Sequence, residues 1–308
     1  MATNDFKAFA TGVGANVMSQ ADWEALPALL AGFSSGKASS DQVNKAIRQA
    51  SFISSCLAQF VCNASGQNVL DDGDQAAFIA KLSAAFDAQY SGRLIKTTVL
   101  TSTQSFTKDP KTKFCRVRII GGGAASGGAP ATTSTTQSIS GGAGAAAYAE
   151  VILNNSDIPS SLNVTIGNGG VPVGTYGADG GTSSFGSLIS CPGGKATLVG
   201  TLISTSATSG VVSGSEVSDA PTISAGKVIC SERGAGGTIG IIASGAILGG
   251  NGASSPLGTG SAGRGAGITP QPTTGYGAGG AGYASGVSSA AANGIAGTAG
   301  VCIIEEYA

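Results

Sequence analysis

"GGGAASGGAPATTSTTQSISGGAGAAAYAEVIL", residues 121–153, decides how this chain must fold. It follows directly on "KFCRVRII", in which Cys115, Val117 and Ile119 alternate with Arg116 and Arg118, the period-two pattern of a half-buried strand. Glycine loses more conformational freedom on folding than any other residue, and Ala, Ser and Thr return little apolar burial. Yet the same composition continues almost to the C-terminus, broken by short apolar runs: "AEVIL", "LNVTIG", "SFGSLIS", "KVICS", "TIGIIAS" and the closing "GVCIIEEY". Such runs predict strands, and their Gly/Ser/Thr punctuation predicts long glycine-rich loops. Because the last run is a well-formed strand, both ends of the glycine-rich region must meet in one fold, against wholesale disorder. Extended polyproline-like segments are open as a local alternative to loops. Collagen is excluded, since the glycine spacing is irregular.

Composition divides the chain near residue 120. Nine of ten Phe precede it, whereas seven Gly lie before residue 119 and forty-four after. The expected layout is a helical domain over residues 1–92 and an all-β, glycine-rich domain over 93–308. In the first, "SQADWEALPALLAGF" offers Ser19 as N-cap with Asp22 three residues on, and Pro27 as a kink or restart. "SSDQVNKAIRQASFISSCLAQFVC" starts with Ser40 or Asp41 as cap and repeats Val43, Ala50 and Leu57 every seven residues. That stripe fits either a short intramolecular bundle or a seam shared between chains. "DDGD", Asp71 to Asp74, lacks the order of a calcium loop and reads as the start of a third helix carrying Phe78, Leu82 and Phe86.

Several functions are excluded or disfavoured. The 308 residues contain no histidine, which removes the commonest general base and most catalytic zinc sites. A net charge of −1 without basic runs argues against a nucleic-acid partner. No stretch is long and apolar enough to insert in a membrane, and the N-terminus lacks a signal-peptide core, which implies synthesis in a cytoplasm. The six cysteines have no metal-ligand spacing and read as buried free thiols. Gly142-x-Gly144-x-x-Ala147 approaches a dinucleotide fingerprint but opens no helix and sits in no βαβ unit. Neither a cofactor nor a metal is expected. A polysaccharide hydrolase would need paired carboxylates in an aromatic groove. The second half offers scattered acids and no Trp, so no enzymatic activity is expected.

"RVRIIGGGAASGGA", "GGAGAAAYAEVIL", "LNVTIGNGG", "DGGTSSFGSLIS" and "AGVCIIEEYA" resemble the glycine-rich tip domain of bacteriophage tail fibres. "NDFKAFATGVGANVMSQADWEAL", "SSDQVNKAIRQASFISSCLAQFV" and "VLDDGD" are similar to the helical N-terminal segment of such fibres. The segment "GGAPATTSTTQSISGG" and residues 205–225 depart from the family by being richer in Ser and Thr. The resemblance implies a homotrimeric virion protein, made in the host cytoplasm. Its N-terminal part would attach to other tail or baseplate proteins, and its C-terminal tip would bind a bacterial surface glycan or outer-membrane protein. A tail-tip or baseplate component without receptor binding is the alternative. Tyr176, Tyr276 and Tyr283, amphipathic rings in glycine-rich surroundings, are candidate receptor contacts, as is Arg264. Each tyrosine could equally pack on its own or a neighbouring chain. With few aromatics in the second half, oligomerisation is expected to supply the burial that one chain lacks.

Overall fold

The computed structural model describes residues 2–33, 38–89 and 92–308. The chain divides into two compact units, Met1–Arg93 and Leu94–Ala308.

In the first unit, Ser19 accepts the Asp22 amide and caps α1 (Gln20–Glu24), and Pro27 opens the one-turn α2 (Ala28–Ala31). α3 (Ser40–Ser65) is capped one residue before the first cap expected from sequence: Ser39 is the N-cap, and its amide donates to the Gln42 side chain. Gly66, with φ +70°, closes the helix in the left-handed conformation that costs glycine no Cβ clash. α4 (Gln75–Gln89) begins as the acidic cluster predicted, with the Asp74 carboxylate accepting the Ala77 amide at 2.9 Å. Ala58, Val61 and Cys62 of α3 pack with Ala85 of α4, Val69, Phe6 and Phe78.

The second unit carries eighteen strands among the described residues. In chain order these are β1 (Leu94–Leu100), β2 (Gln104–Thr107), β3 (Phe114–Ile120), β4 (Thr136–Ile139), β5 (Tyr148–Asn154) and β6 (Ser161–Thr165). Then follow β7 (Ser183–Phe185), β8 (Ile189–Cys191), β9 (Thr201–Ser204), β10 (Ser209–Val212), β11 (Thr222–Ile223) and β12 (Lys227–Glu232). The last are β13 (Gly240–Ala243), β14 (Ala246–Leu248), β15 (Gly258–Thr259), β16 (Thr274–Gly275), β17 (Ala284–Ser285) and β18 (Val301–Tyr307). Every predicted apolar run contains or overlaps a strand. Two antiparallel sheets, ordered β1-β18-β3-β5-β12 and β11-β8-β7-β6-β2, form a sandwich. Its core holds Cys115, Val117, Ile119, Val151, Leu153 and Ile304 with Phe106, Val164, Phe185 and Ile189. Phe106 and Phe185 lie 5.7 Å apart, ring centre to ring centre. On the outer face, Arg116 bonds Glu150 (2.6 Å), Arg118 bonds Glu305 (2.8 Å), and Phe114 stacks on Tyr307 at 4.8 Å.

The glycine-rich stretches are not loops. Segment 121–129 donates its amides in rotation, with a period of three, to three different neighbours. Gly122, Ala125 and Gly128 bond the carbonyls of Gly181, Ala178 and Thr175; Gly123, Ser126 and Ala129 bond those of Thr298, Ile295 and Ala292. Ala124 bonds Gly144, and at the next repeat the Thr197 hydroxyl bridges the Gly127 amide (2.8 Å) to the Gly141 carbonyl (3.1 Å). Segment 142–147 does the same. Gly142 and Ala145 bond Thr238 and Ala235, Ala143 and Ala146 bond Gly280 and Gly277, and Gly144 and Ala147 bond Lys195 and Pro192. Its carbonyls accept from Ala124, Ser215 and Ala253, so six neighbours surround it. Three residues per turn without internal hydrogen bonds is the polyproline-II helix, and the descending partner numbers make each of these pairs antiparallel.

Glycine is required here by proximity. A Cβ on Gly142 would lie 1.9 Å from the Asn251 carbonyl oxygen, and one on Gly127 1.9 Å from that of Leu198. The lattice also corrects the expectation that other chains must supply the missing burial. Ala124, Ala125, Ala143 and Ala145 are fully buried within one chain, because backbone hydrogen bonds substitute for side-chain packing.

Burial drives the Cys115 and Cys191 thiols up to about 12 from an ordinary 9.0, and raises Cys302 further; all six cysteines are free.

Gly142→Ala should cost about 3 kcal/mol and lower Tm by roughly 6–12 °C, as overpacking against backbone does in a domain of this size. Gly265→Ala, whose Cβ would meet nothing closer than 3.6 Å, should leave Tm unchanged in the same calorimetric scan. Stability should also depend on alkaline pH. The unfolded chain releases thiol protons near 9 and the native chain holds them to about 12. The unfolded state therefore binds fewer protons between those values. This contribution is fully present below pH 9 and is lost as pH rises toward 12. Urea midpoints from pH 8 to 11 should fall, and less steeply in Cys191→Ala.

Candidate functional site

The lattice has two ends. Segment 121–129 leaves the sandwich at Ile120 and ends in the turn before β4, while 141–147 returns to β5. The later segments shuttle the same way: 192–200 leaves β8 for β9, 233–239 leaves β12 for β13, and 292–300 returns to β18. The turns around 130–140, 171–176, 201–212, 240–248, 264–269 and 284–291 therefore collect at the end away from the sandwich.

Hydrogen bonds tie these turns to one another. The Thr132 amide donates to the Ser289 carbonyl and the Ser288 amide to that of Thr133, both at 2.9 Å. Thr205 donates to Thr135, Ser244 to Thr208, and Gly267 to Ala284. Beneath them Ile139, Ile242, Ile247 and Ala284 form a small core, joined by Ile203 and Val212. Ile139 and Ser138 sit in the sheet β17-β4-β9, and Ile242 in β10-β13-β14. The turns are thus anchored from below by apolar packing and laterally by backbone bonds.

Their outer surface mixes Ser and Thr hydroxyls with exposed apolar side chains and is nearly uncharged. Val171 (66% exposed), Val173 (75%), Tyr176 (64%) and Val211 (69%) stand in solvent, as do Ile268 and Val287. Arg264 is the one charged residue in the six turns, and it is exposed. A surface of this kind can bind a partner by shape and apolar contact, with little electrostatic steering.

The structure separates the four candidate contacts. Tyr176, Tyr283 and Arg264 belong to the turn end. Tyr176 is free in solvent, whereas Tyr283 is half-buried, its hydroxyl 3.5 Å from that of Thr269. Tyr276 lies at the sandwich end, packed on the cluster of Ile120, Ala146, Tyr148 and Val301. The valines and Ile268 escaped sequence reading, since isolated apolar residues between Gly, Pro and Thr carry no periodicity. Their signal was their position beside turn residues, as in "VPVGTY".

On the flank of the lattice, a half-open cleft of about 600 Å³ lies between residues 195–199 and 211–216. Lys195 stands at its wall, 3.5 Å from Asp219 and 3.7 Å from Asp179, and Leu198 and Val211 contribute apolar surface. Among the described residues no group of three or more Cys, Asp or Glu could hold a metal ion, and no helix is long and apolar enough to cross a membrane.

Because the turn surface is solvated and its underlying core is not, the two should respond differently to substitution. Val173→Ser should change stability by less than about 0.5 kcal/mol. Ile242→Ala, in the small core, should cost about 2–5 kcal/mol; chemical denaturation of both variants tests the division.

No curated protein matches the chain significantly. The family model described as a glycine-rich domain matches residues 97–307, more than half of the chain and nearly all of the second unit, and the protein belongs to that glycine-rich domain family.

Proposed function

We propose that the protein is a bacteriophage tail fibre, a homotrimer that attaches to other tail or baseplate proteins through residues 1–92 and binds a bacterial surface glycan or outer-membrane protein through residues 93–308. It works by binding and not by catalysis, it takes no cofactor or nucleic acid, and it resides in the virion tail after synthesis in the host cytoplasm.

The observation that carries this reading is the polarity of the second unit. The chain enters it by β1 in the sandwich, and Val171, Val173, Val211, Val287 and Tyr176 stand exposed at the turns on the other end. A rigid scaffold with solvent-facing, weakly charged turns at one end suits adhesion, because turns can carry binding residues without disturbing the core. Several tips on one fibre would then multiply modest single-site affinity through effective concentration.

The test is binding of fluorescently labelled full-length protein to susceptible cells and to resistant derivatives. Saturable binding, lost on the resistant cells, is expected. Tyr176→Ala should weaken it on the order of tenfold, as loss of an aromatic contact does. Raising the salt should change it little, because a surface with one charge has little to screen. No binding to any susceptible strain by folded protein would reject the receptor-binding role and leave a structural tail component.

A further inference from the structure

α3 carries a broad apolar face that the first unit covers only in part. Ala58, Val61 and Cys62 turn towards α4 and are buried. Beside them run residues at the spacing of a heptad seam: Val43, Ala50 and Leu57 at one position, Ala46, Ile53 and Phe60 at the other. Within a single chain Val43 is 36% exposed, Ile53 67% and Leu57 41%, whereas Phe60, 37% exposed, already packs its ring 5.8 Å from that of Phe86 on α4. The row runs for most of a 26-residue helix.

We propose that this face of α3 is the seam along which copies of the chain associate, parallel and in register. The inference rests on the reading of the protein as a self-associating fibre and assigns where that association occurs. Three features select a second copy as the occupant. A seam with seven-residue repeats is complementary to another helix of the same repeat, and in register each row meets itself. The positions flanking the seam are uncharged: Gln42, Gln49 and Cys56 on one side, Ile47, Ser54 and Val61 on the other, the last already buried in the core with α4. Identical chains therefore meet without like charges facing each other, and a foreign partner finds no charge by which to be chosen. Finally, Ile47, 44% exposed, extends the apolar strip beyond the two rows, so closing the seam covers it too.

The experiment uses the full-length protein, with mass measured by sedimentation equilibrium and folding followed by circular dichroism. Wild type should have the mass of several chains. Leu57→Asp and Leu57→Lys, placed on an exposed position, should retain the helical signal and have the mass of one chain, and an equimolar mixture of the two should re-associate. The exposed Cys56 beside the seam gives a second readout that needs no seam substitution. Mild oxidation should link Cys56 to its counterpart in wild type, and the link should disappear in Cys56→Ser. A single-chain mass for wild type, an unchanged mass in both Leu57 variants, or no Cys56 link within an associated wild type would each overturn the seam. Dissociation by Leu57→Asp in a protein that binds no cells would uphold the seam while sinking the receptor reading. Cell binding by a wild type whose mass the Leu57 variants do not alter would do the reverse.

Discussion

The peptide groups buried in the glycine lattice need partners away from water, and most find them in three directions instead of two. A β-strand points its amides alternately to two neighbours in one plane. Segment 142–147 turns each successive amide by a third of a revolution and bonds three neighbours, while its carbonyls bond three more. The result is a block of chain, not a sheet. The distances this demands leave no room for side chains where carbonyls meet Cα, as the 1.9 Å clearances at Gly127 and Gly142 show. Composition follows from that one constraint: glycine where a neighbouring carbonyl stands, alanine or serine where it does not, and larger residues at the ends. Each bond contributes only about 0.5–1.5 kcal/mol net, so stability must come from their number and from the loss incurred when any one is left unmade.

Such a block has no apolar core to start its assembly, and the sandwich provides one. β18, the last strand of the chain, lies between β1 and β3 in the middle of the first sheet. The sheet is therefore incomplete until residues 121–300 have already been threaded out and back. Glu306 reinforces this closure: its buried carboxylate accepts the Asp109 amide at 2.7 Å and the Thr112 hydroxyl at 3.0 Å, which fastens the turn between β2 and β3 to the final strand. Pairings of this sequence separation are slow to form, since loop closure precedes any reward from contact. The Arg116–Glu150 and Arg118–Glu305 bonds on the outer face align the same three central strands from the other side.

What was legible in the sequence was the part that depends on neighbours near in sequence or on apolar alternation. The inward set Cys115, Val117 and Ile119 stands out from Arg116 and Arg118 by period two, and the Ser19 and Asp74 caps by their offset from the helix. The lattice was hidden because its period of three lives in hydrogen bonds and not in residue types: "GGGAASGGA" donates in strict rotation, yet Ala and Gly do not alternate in step with it. The capping residue of α3 was missed by one place because "ASSD" offers three competent caps in a row, and the Ser39–Gln42 pairing is what selects among them. The candidate tyrosines show the same limit. Tyr176 and Tyr276 stand in similar glycine-rich surroundings, and which end of the lattice each occupies is set by the count of passes before it.

The lattice also explains how turns of so little intrinsic structure can act as a surface. A turn such as 171–176, with Gly174 at φ +59°, would be one of many conformers in a free chain. Here its flanks are fixed by the Gly170 amide donating to the Gly123 carbonyl on one side and the Gly128 amide donating to the Thr175 carbonyl on the other, so few residues are left to order on contact. Ordering cost is what erodes affinity when loops bind. A scaffold that removes most of it lets small apolar side chains such as Val171 and Val173 contribute without a large aromatic anchor. It also separates what can change from what cannot. Turn residues such as Val171 and Val173 bear no lattice bonds through their side chains, unlike Ser140, whose hydroxyl donates to the Gly127 carbonyl; a single methyl group on Gly142 would displace the Asn251 carbonyl and with it the segment that carries the next turn.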